Sequence, residues 1–169
     1  MSLRLETYFF TSIAIEANTE FVKRDAPVDC DVDVSGEIHF IDTSRVGLSV
    51  RIAVERSEHF PYEIDLYMFA GAAIEDSMEK FADKGVLDHL LHTHRRSLIS
   101  ICYSAAREFV LLTTGRQPWG PFSLPIIFPQ DIELDVKLGP DVQALADKSN
   151  KIRKQIESRS TPQRARKVK

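Results

Sequence analysis

"SAAREFVLLTTGRQPWGPFSLPIIFP", residues 104–129, is where the fold of this chain turns. Its first part continues a helical spacing of apolar residues that starts near Leu87 and runs through Leu91, Leu98, Cys102, Ala105, Phe109 and Leu112. Gly115 suits the position just past a helix end, so the spacing predicts a helix over 87–114. Pro118, Pro121, Pro125 and Pro129 then keep residues 117–130 out of helix interiors. The helix thus gives way to an extended, stiff connector crowded with Trp119, Phe122, Leu124, Ile126, Ile127 and Phe128, and so much apolar surface must lie on something. The helix carries a second stripe, Ile99, Tyr103, Ala106 and Val110. Two partners for that stripe stay open, the connector or a second copy of the chain.

Upstream of the helix the period is two. "LETYFFTSIAIEA" has the aromatic and β-branched enrichment of a strand. "VDCDVDVSGEIHFID" sets Val28, Cys30, Val32 and Val34 on one side and Asp29, Asp31 and Asp33 on the other, a strand with one wet, acidic face. Gly36 allows a bulge or bend within it. After the turn "DTSR", "VGLSVRIAVER" alternates again, and past "SEHF" the segment "YEIDLYMFAGAA" makes a fourth strand. Four strands with short connections imply an antiparallel sheet, because parallel pairs need long crossovers. Residues 75–84 read as a short polar helix or loop, and "GPDVQALADKSNKIRKQIESRS" restarts a helix with a thin stripe, Val142, Leu145, Ala146, Ile152 and Ile156. The final "TPQRARKVK" is too charged and too poor in apolar residues to fold alone.

The 169 residues suffice for one core without disulfide support. Cys30 and Cys102 are far apart and neither has a neighbouring thiol, which favours a reduced compartment. No run reaches ~18 apolar residues and the N-terminus lacks the pattern of a secretory signal, so the chain is expected to be soluble and cytoplasmic, without membrane insertion. The net charge of −3 hides a split: residues from Lys148 onward carry +8, and residues 1–147 carry −11.

Little of this suggests catalysis. His89, His92 and His94 lie close together, but only the first two share a helix face and no carboxylate completes a ligand set, so they read as solvent-facing or capping groups and no metal or other cofactor is expected. Cys102 sits on the apolar stripe, where a thiol is usually inert. The basic tail could neutralise phosphates, yet it has no aromatic residue on which bases could stack, and the body is acidic. Nucleic acid is therefore not the expected partner, and a solubilising or protein-docking tail is.

The order of these pieces resembles the SecB family of protein-export chaperones over residues 3–135. The likeness rests on "TSIAIEAN" in the first strand, "VDCDVDV" in the second, "AGAAIED" after the fourth, and the segment from Ala106 to Phe128. It implies an α+β fold, a four-stranded antiparallel sheet followed by a long helix, a Pro-rich connector and a C-terminal helix, in a homotetramer built as a dimer of dimers. Residues 1–139 would form the SecB-like domain and residues 140–169 the C-terminal helix and basic tail. The implied function is that of an ATP-independent holdase for unfolded polypeptides or preproteins. Its groove would involve Phe9, Cys30, Val32, Phe60, Tyr62, Trp119, Phe122 and Leu124. Glu16 matches an acid of the sheet surface that docks the SecA translocase motor, whereas Ser12 stands where a second acid would be. The family's usual C-terminal extension is replaced by the basic helix and tail, which leaves room for a dedicated adaptor or antitoxin-type partner chaperone of the same fold.

Overall fold

A computed structural model describes residues 2–22 and 31–160. Strand β1 spans Leu3–Ala17, β2 Asp33–Phe40, β3 Arg45–Val54, β4 Tyr62–Ile74 and β5 Asp135–Leu138; helix α1 spans Met78–Asp83, α2 Leu87–Thr114 and α3 Pro140–Ser160. The strands form one sheet in the order β1-β4-β3-β2-β5, antiparallel except for β5, which runs parallel to β2. The class is α+β, with the sheet wider by one short strand than the spacing predicts.

Strict alternation decides which face of the sheet is covered. Val46, Leu48, Val50, Ile52 and Val54 of β3, and Tyr62 through Ile74 at even positions of β4, are buried in one core with Leu90, Leu98, Cys102, Ala106 and Val110 of α2. Each large apolar side chain among them contributes roughly 1.5–3 kcal/mol when fully removed from water. The odd positions, among them Ser49, Arg51, Tyr67 and Phe69, make the opposite face of the sheet. β1 keeps step with β4 only by two irregularities, at Leu5/Thr7 and Phe10/Ser12. Such extra residues raise local twist and curl the edge.

Gly36 does not bulge β2: the pairing with β3 runs unbroken from Asp33↔Ala53 to Phe40↔Val46. Its φ of 157° instead brings its backbone so near β3 that a Cβ would stand 2.1 Å from the Ser49 oxygen. Gly115 is likewise a helix end without a left-handed residue, since its φ is −57° and its N–H donates to the Leu111 oxygen. β5 escaped the sequence pattern because its four residues lie at an edge, paired through Glu37↔Asp135 to Phe40↔Leu138 and fastened by the Lys137–Glu37 ion pair.

The first stripe of α2 is only partly used. Leu91, Leu98 and Cys102 are buried, Ala105 and Phe109 half so, and Leu112 is 69% exposed. Ile99, Tyr103, Ala106 and Val110 are buried, Ala106 and Val110 in the core with the sheet, and Ile99 and Tyr103 beside Ile126, Ile127 and Ile132 of the connector. α3 lies against α1 and the start of α2: Val142 and Ser149 are buried, Lys148 pairs with Asp83 at 2.6 Å, and Ser149 accepts the Leu87 N–H. Beyond Ile152 it is exposed as far as Ser158. Among the described residues, no helix is long and apolar enough to cross a membrane.

His94 is the exception in the core. Its side chain is almost wholly buried, its Nε2 has no hydrogen bond, and Asp76 Oδ2 lies 3.8 Å away. Burial holds its pKa down, against the opposing pull of Asp76. As pH falls, the unfolded chain therefore takes up this proton first, and stability is lost progressively below about pH 6.5. Above that pH the residue adds no pH dependence. A His94→Leu chain is expected to show a flatter urea midpoint between pH 7 and 5.5 than the native chain; equal slopes would contradict the assignment.

Candidate functional site

One end of the sheet gathers the exit of β1, the β3–β4 hairpin and the connector, and Asn18 ties them together. Its Nδ2 donates to the Ser57 oxygen at 2.7 Å and the Phe60 oxygen at 2.9 Å, while its Oδ1 accepts the Glu20 N–H at 3.0 Å. Its main-chain N–H donates to the Pro61 oxygen at 2.8 Å, and its carbonyl accepts Trp119 Nε1–H at 3.0 Å. Asn18 itself is 2% exposed, so its buried amide needs these protein partners.

The connector is fastened in the same manner along α2. Thr114 Oγ1 accepts the Phe122 N–H at 2.8 Å and donates to the Val110 oxygen at 2.7 Å. Arg107 Nε donates to the Leu124 oxygen at 2.8 Å, Tyr103 to the Pro125 oxygen at 3.0 Å, and Arg95 to the Ile132 oxygen at 2.7 Å. Tyr62 reaches up from β4 to donate to the Gly120 oxygen at 2.8 Å, and burial pushes its phenol pKa up. The Phe122 ring centroid is 6.1 Å from that of Tyr62, and Trp119 meets Phe21 edge to face at 5.4 Å.

The expected groove residues fall in three places. Tyr62, Trp119, Phe122 and Leu124 belong to this aromatic end, but Tyr62 and Leu124 are buried beneath the connector, whereas Trp119 is 45% exposed. Val32 and Phe60 line an adjoining cleft of about 490 Å³ with Asp31, Asp33, Ala53, Glu55, Arg56 and Ser57. Phe9 is elsewhere, on the opposite face of the sheet, its ring 5.5 Å from Phe69. Cys30 lies outside the described residues.

That opposite face is a shallow trough of about 750 Å³ with Phe9, Tyr67 and Phe69 on one side and Glu37 and Asp135 on the other. Arg51 crosses it, 2.8 Å from Asp65 and 5.7 Å from the Tyr67 ring centroid. Glu16 is exposed here and stands directly across from Glu63, and neither has a cationic partner among the described residues. Like charges so placed repel. Farther along the connector, Ile126 is 74% and Phe128 60% exposed, beside a small groove formed with Ile99, Tyr103 and Arg107 of α2.

Asn18, Phe21 and Thr114 were not singled out by the sequence, and Arg107 entered only as part of the segment from Ala106 that carries the resemblance. Asn18 closes the quoted "TSIAIEAN" and is a turn-forming type, which is the one hint it carries. The histidines do not converge: His89 and His92 are exposed while His94 faces the core. Among the described residues, no group of three or more His, Cys, Asp and Glu could hold a metal ion. The Cys102 thiol is pushed up to about 11 by burial and is therefore a poor nucleophile.

Sheet, long helix and connector together define an α+β chain whose apolar side chains concentrate around a helix-to-connector junction. Among solved structures, it is similar to the Mycobacterium tuberculosis SecB-like chaperone Rv1957 in complex with a ChAD peptide from the HigA1 antitoxin, at 14% identity and a TM-score of 0.49, over 74% of this chain and 90% of that one. No family model matches the chain, and no curated protein matches it in sequence.

Proposed function

We propose that this chain is an ATP-independent holdase of the SecB type, which keeps unfolded polypeptides soluble by binding their apolar segments at the connector end. The observation that carries the proposal is the exposure of three large apolar side chains on the connector, Trp119 at the end near Phe60, and Ile126 and Phe128 farther along it. Exposed apolar surface concentrated in this way marks an interaction site. Its chemistry is binding, not catalysis, and it works in the cytoplasm. The acids around the cleft, Asp31, Asp33 and Glu55, favour segments that carry positive charge as well as apolar residues.

The working form is an oligomer, a homotetramer in the SecB manner. β1 presents its outer edge over fifteen residues, and such an edge is a template for another strand. Tyr8 and Ile13 of β1, with Ile101 and Leu112 of α2, add exposed apolar surface. Glu16 on the open sheet face is the candidate contact for the SecA motor, with Glu63 beside it. A second reading, a chaperone dedicated to one partner such as an antitoxin, is favoured by the charge of +8 that the sequence carries from Lys148 onward, which could recruit that partner.

The test is light scattering by a chemically unfolded polypeptide diluted into buffer, without nucleotide and at near-stoichiometric amounts of the chain. Suppression is expected, and Trp119→Ser with Phe122→Ser should raise the amount needed severalfold. Scattering that is unchanged with several unrelated polypeptides would remove the general holdase and leave the dedicated one.

A further inference from the structure

The connector is joined to the rest of the fold in an unusual way. Among the described residues, its backbone-to-backbone bonds stay within itself and the end of α2: Gly115 N–H to Leu111, Gln117 N–H to Thr114, Gly120 N–H to Gln117 and Asp131 N–H to Phe128. Every hydrogen bond to another element uses a side chain. The two halves of the connector are also packed differently. From Leu124 onward it is anchored by Arg107, Tyr103 and Arg95, with Leu124 and Ile132 buried. Before Leu124 the tip is held by Trp119 on the Asn18 carbonyl, Tyr62 on the Gly120 carbonyl and Thr114 on Phe122. Gly120 turns the chain at a φ of 80°, and nothing lies within 4 Å of where its Cβ would be.

We propose that residues 117–122 are a gate, closed in this structure, which swings away from α2 while Leu124–Ile132 stays seated. Opening breaks the side-chain bonds of Trp119, Tyr62 and Thr114 and no strand pairing. It uncovers Tyr62 and the inner side of Phe122, and joins them to the cleft of Val32 and Phe60. Tyr62 lies on the buried face of β4, and its hydroxyl reaches both the Gly120 oxygen of the gate and the Thr114 oxygen at the end of α2. Local openings of this size need far less free energy than unfolding when few apolar contacts are lost. The role in client capture rests on the holdase proposal, but the motion does not.

The motion is read on the free, full-length chain by amide hydrogen exchange. The Phe122 N–H is expected to exchange through an opening insensitive to low denaturant, whereas the amides of β3 exchange only as denaturant lowers global stability. Exchange of Phe122 in step with β3 would overturn the gate. The role is read with reduced, carboxymethylated lactalbumin as an unfolded probe. Tyr62→Phe deletes the bond to Gly120 with little change of shape and should speed association about fivefold, the size of one hydrogen bond. An unchanged rate, with binding intact, would overturn the role of the gate and leave the holdase proposal standing. Absence of binding in both chains would remove the holdase proposal, and the exchange of Phe122 would still decide the gate.

Discussion

Asn18→Ala is expected to lower the stability of the chain by about 2 kcal/mol, because the Phe60 carbonyl and the Glu20 N–H lose their partner and the Ser57 carbonyl keeps only the Phe60 N–H. The Ser57 and Phe60 oxygens share Asn18 Nδ2, and the Glu20 N–H is held by Oδ1. Alanine removes all three bonds. The main-chain bonds of residue 18, to Pro61 and Trp119, survive in principle, so the damage should centre on the hairpin. Denaturant unfolding followed by circular dichroism measures the loss, and the fluorescence of Trp119, the one tryptophan of the chain, should shift in the native state. A cost below about 1 kcal/mol would mean that the hairpin is held by its packing and that Asn18 is not its anchor.

Gly36→Ala should be comparably severe, at about 3 kcal/mol or more, for a different reason. The new methyl would meet backbone, the Ser49 oxygen at 2.1 Å and the Val50 Cα at 2.9 Å, and backbone cannot rotate away. β2 must move off β3, and the pairing from Asp33↔Ala53 to Phe40↔Val46 includes the strand that carries β5. The expected result is a lower unfolding midpoint, with exchange accelerated most in β2 and β5. Unchanged stability would contradict the close approach of the two strands.

Legibility followed burial. α2 was readable at both ends because its 28 residues carry apolar spacing from Leu87 into a glycine and then a proline-rich stretch. β3 and β4 were readable because one face of each is entirely buried, which imposes strict alternation. β5 has no such signal: Asp135, Val136 and Lys137 are all exposed, and the strand exists by pairing with β2. The irregularities of β1 are equally silent, since they arise from fitting its edge to β4.

The candidate site was half legible. Residue type points to Trp119, Phe122 and Phe60, but it cannot separate a groove from a core, because both use the same side chains. Tyr62 and Leu124 illustrate the ambiguity, and only the position of the connector decides their exposure. Ile99 and Tyr103 of the second stripe lie in the same way beside Ile126, Ile127 and Ile132 of the connector. The polar residues that fasten the connector, Asn18, Thr114 and Arg107, carry no pattern that names their partners, since each acts on a carbonyl or an N–H far away in sequence or across a turn.

The central claim is that unfolded polypeptide binds at the connector end, and site-directed photo-crosslinking tests it most directly. A benzophenone side chain placed at Ile126 or at Phe128, both well exposed, should capture a reduced, carboxymethylated polypeptide, while the same group at Ser49 on the open sheet face should capture far less. Capture at Ser49 with none at Ile126 or Phe128 would contradict the account and move the binding surface to the other face of the sheet.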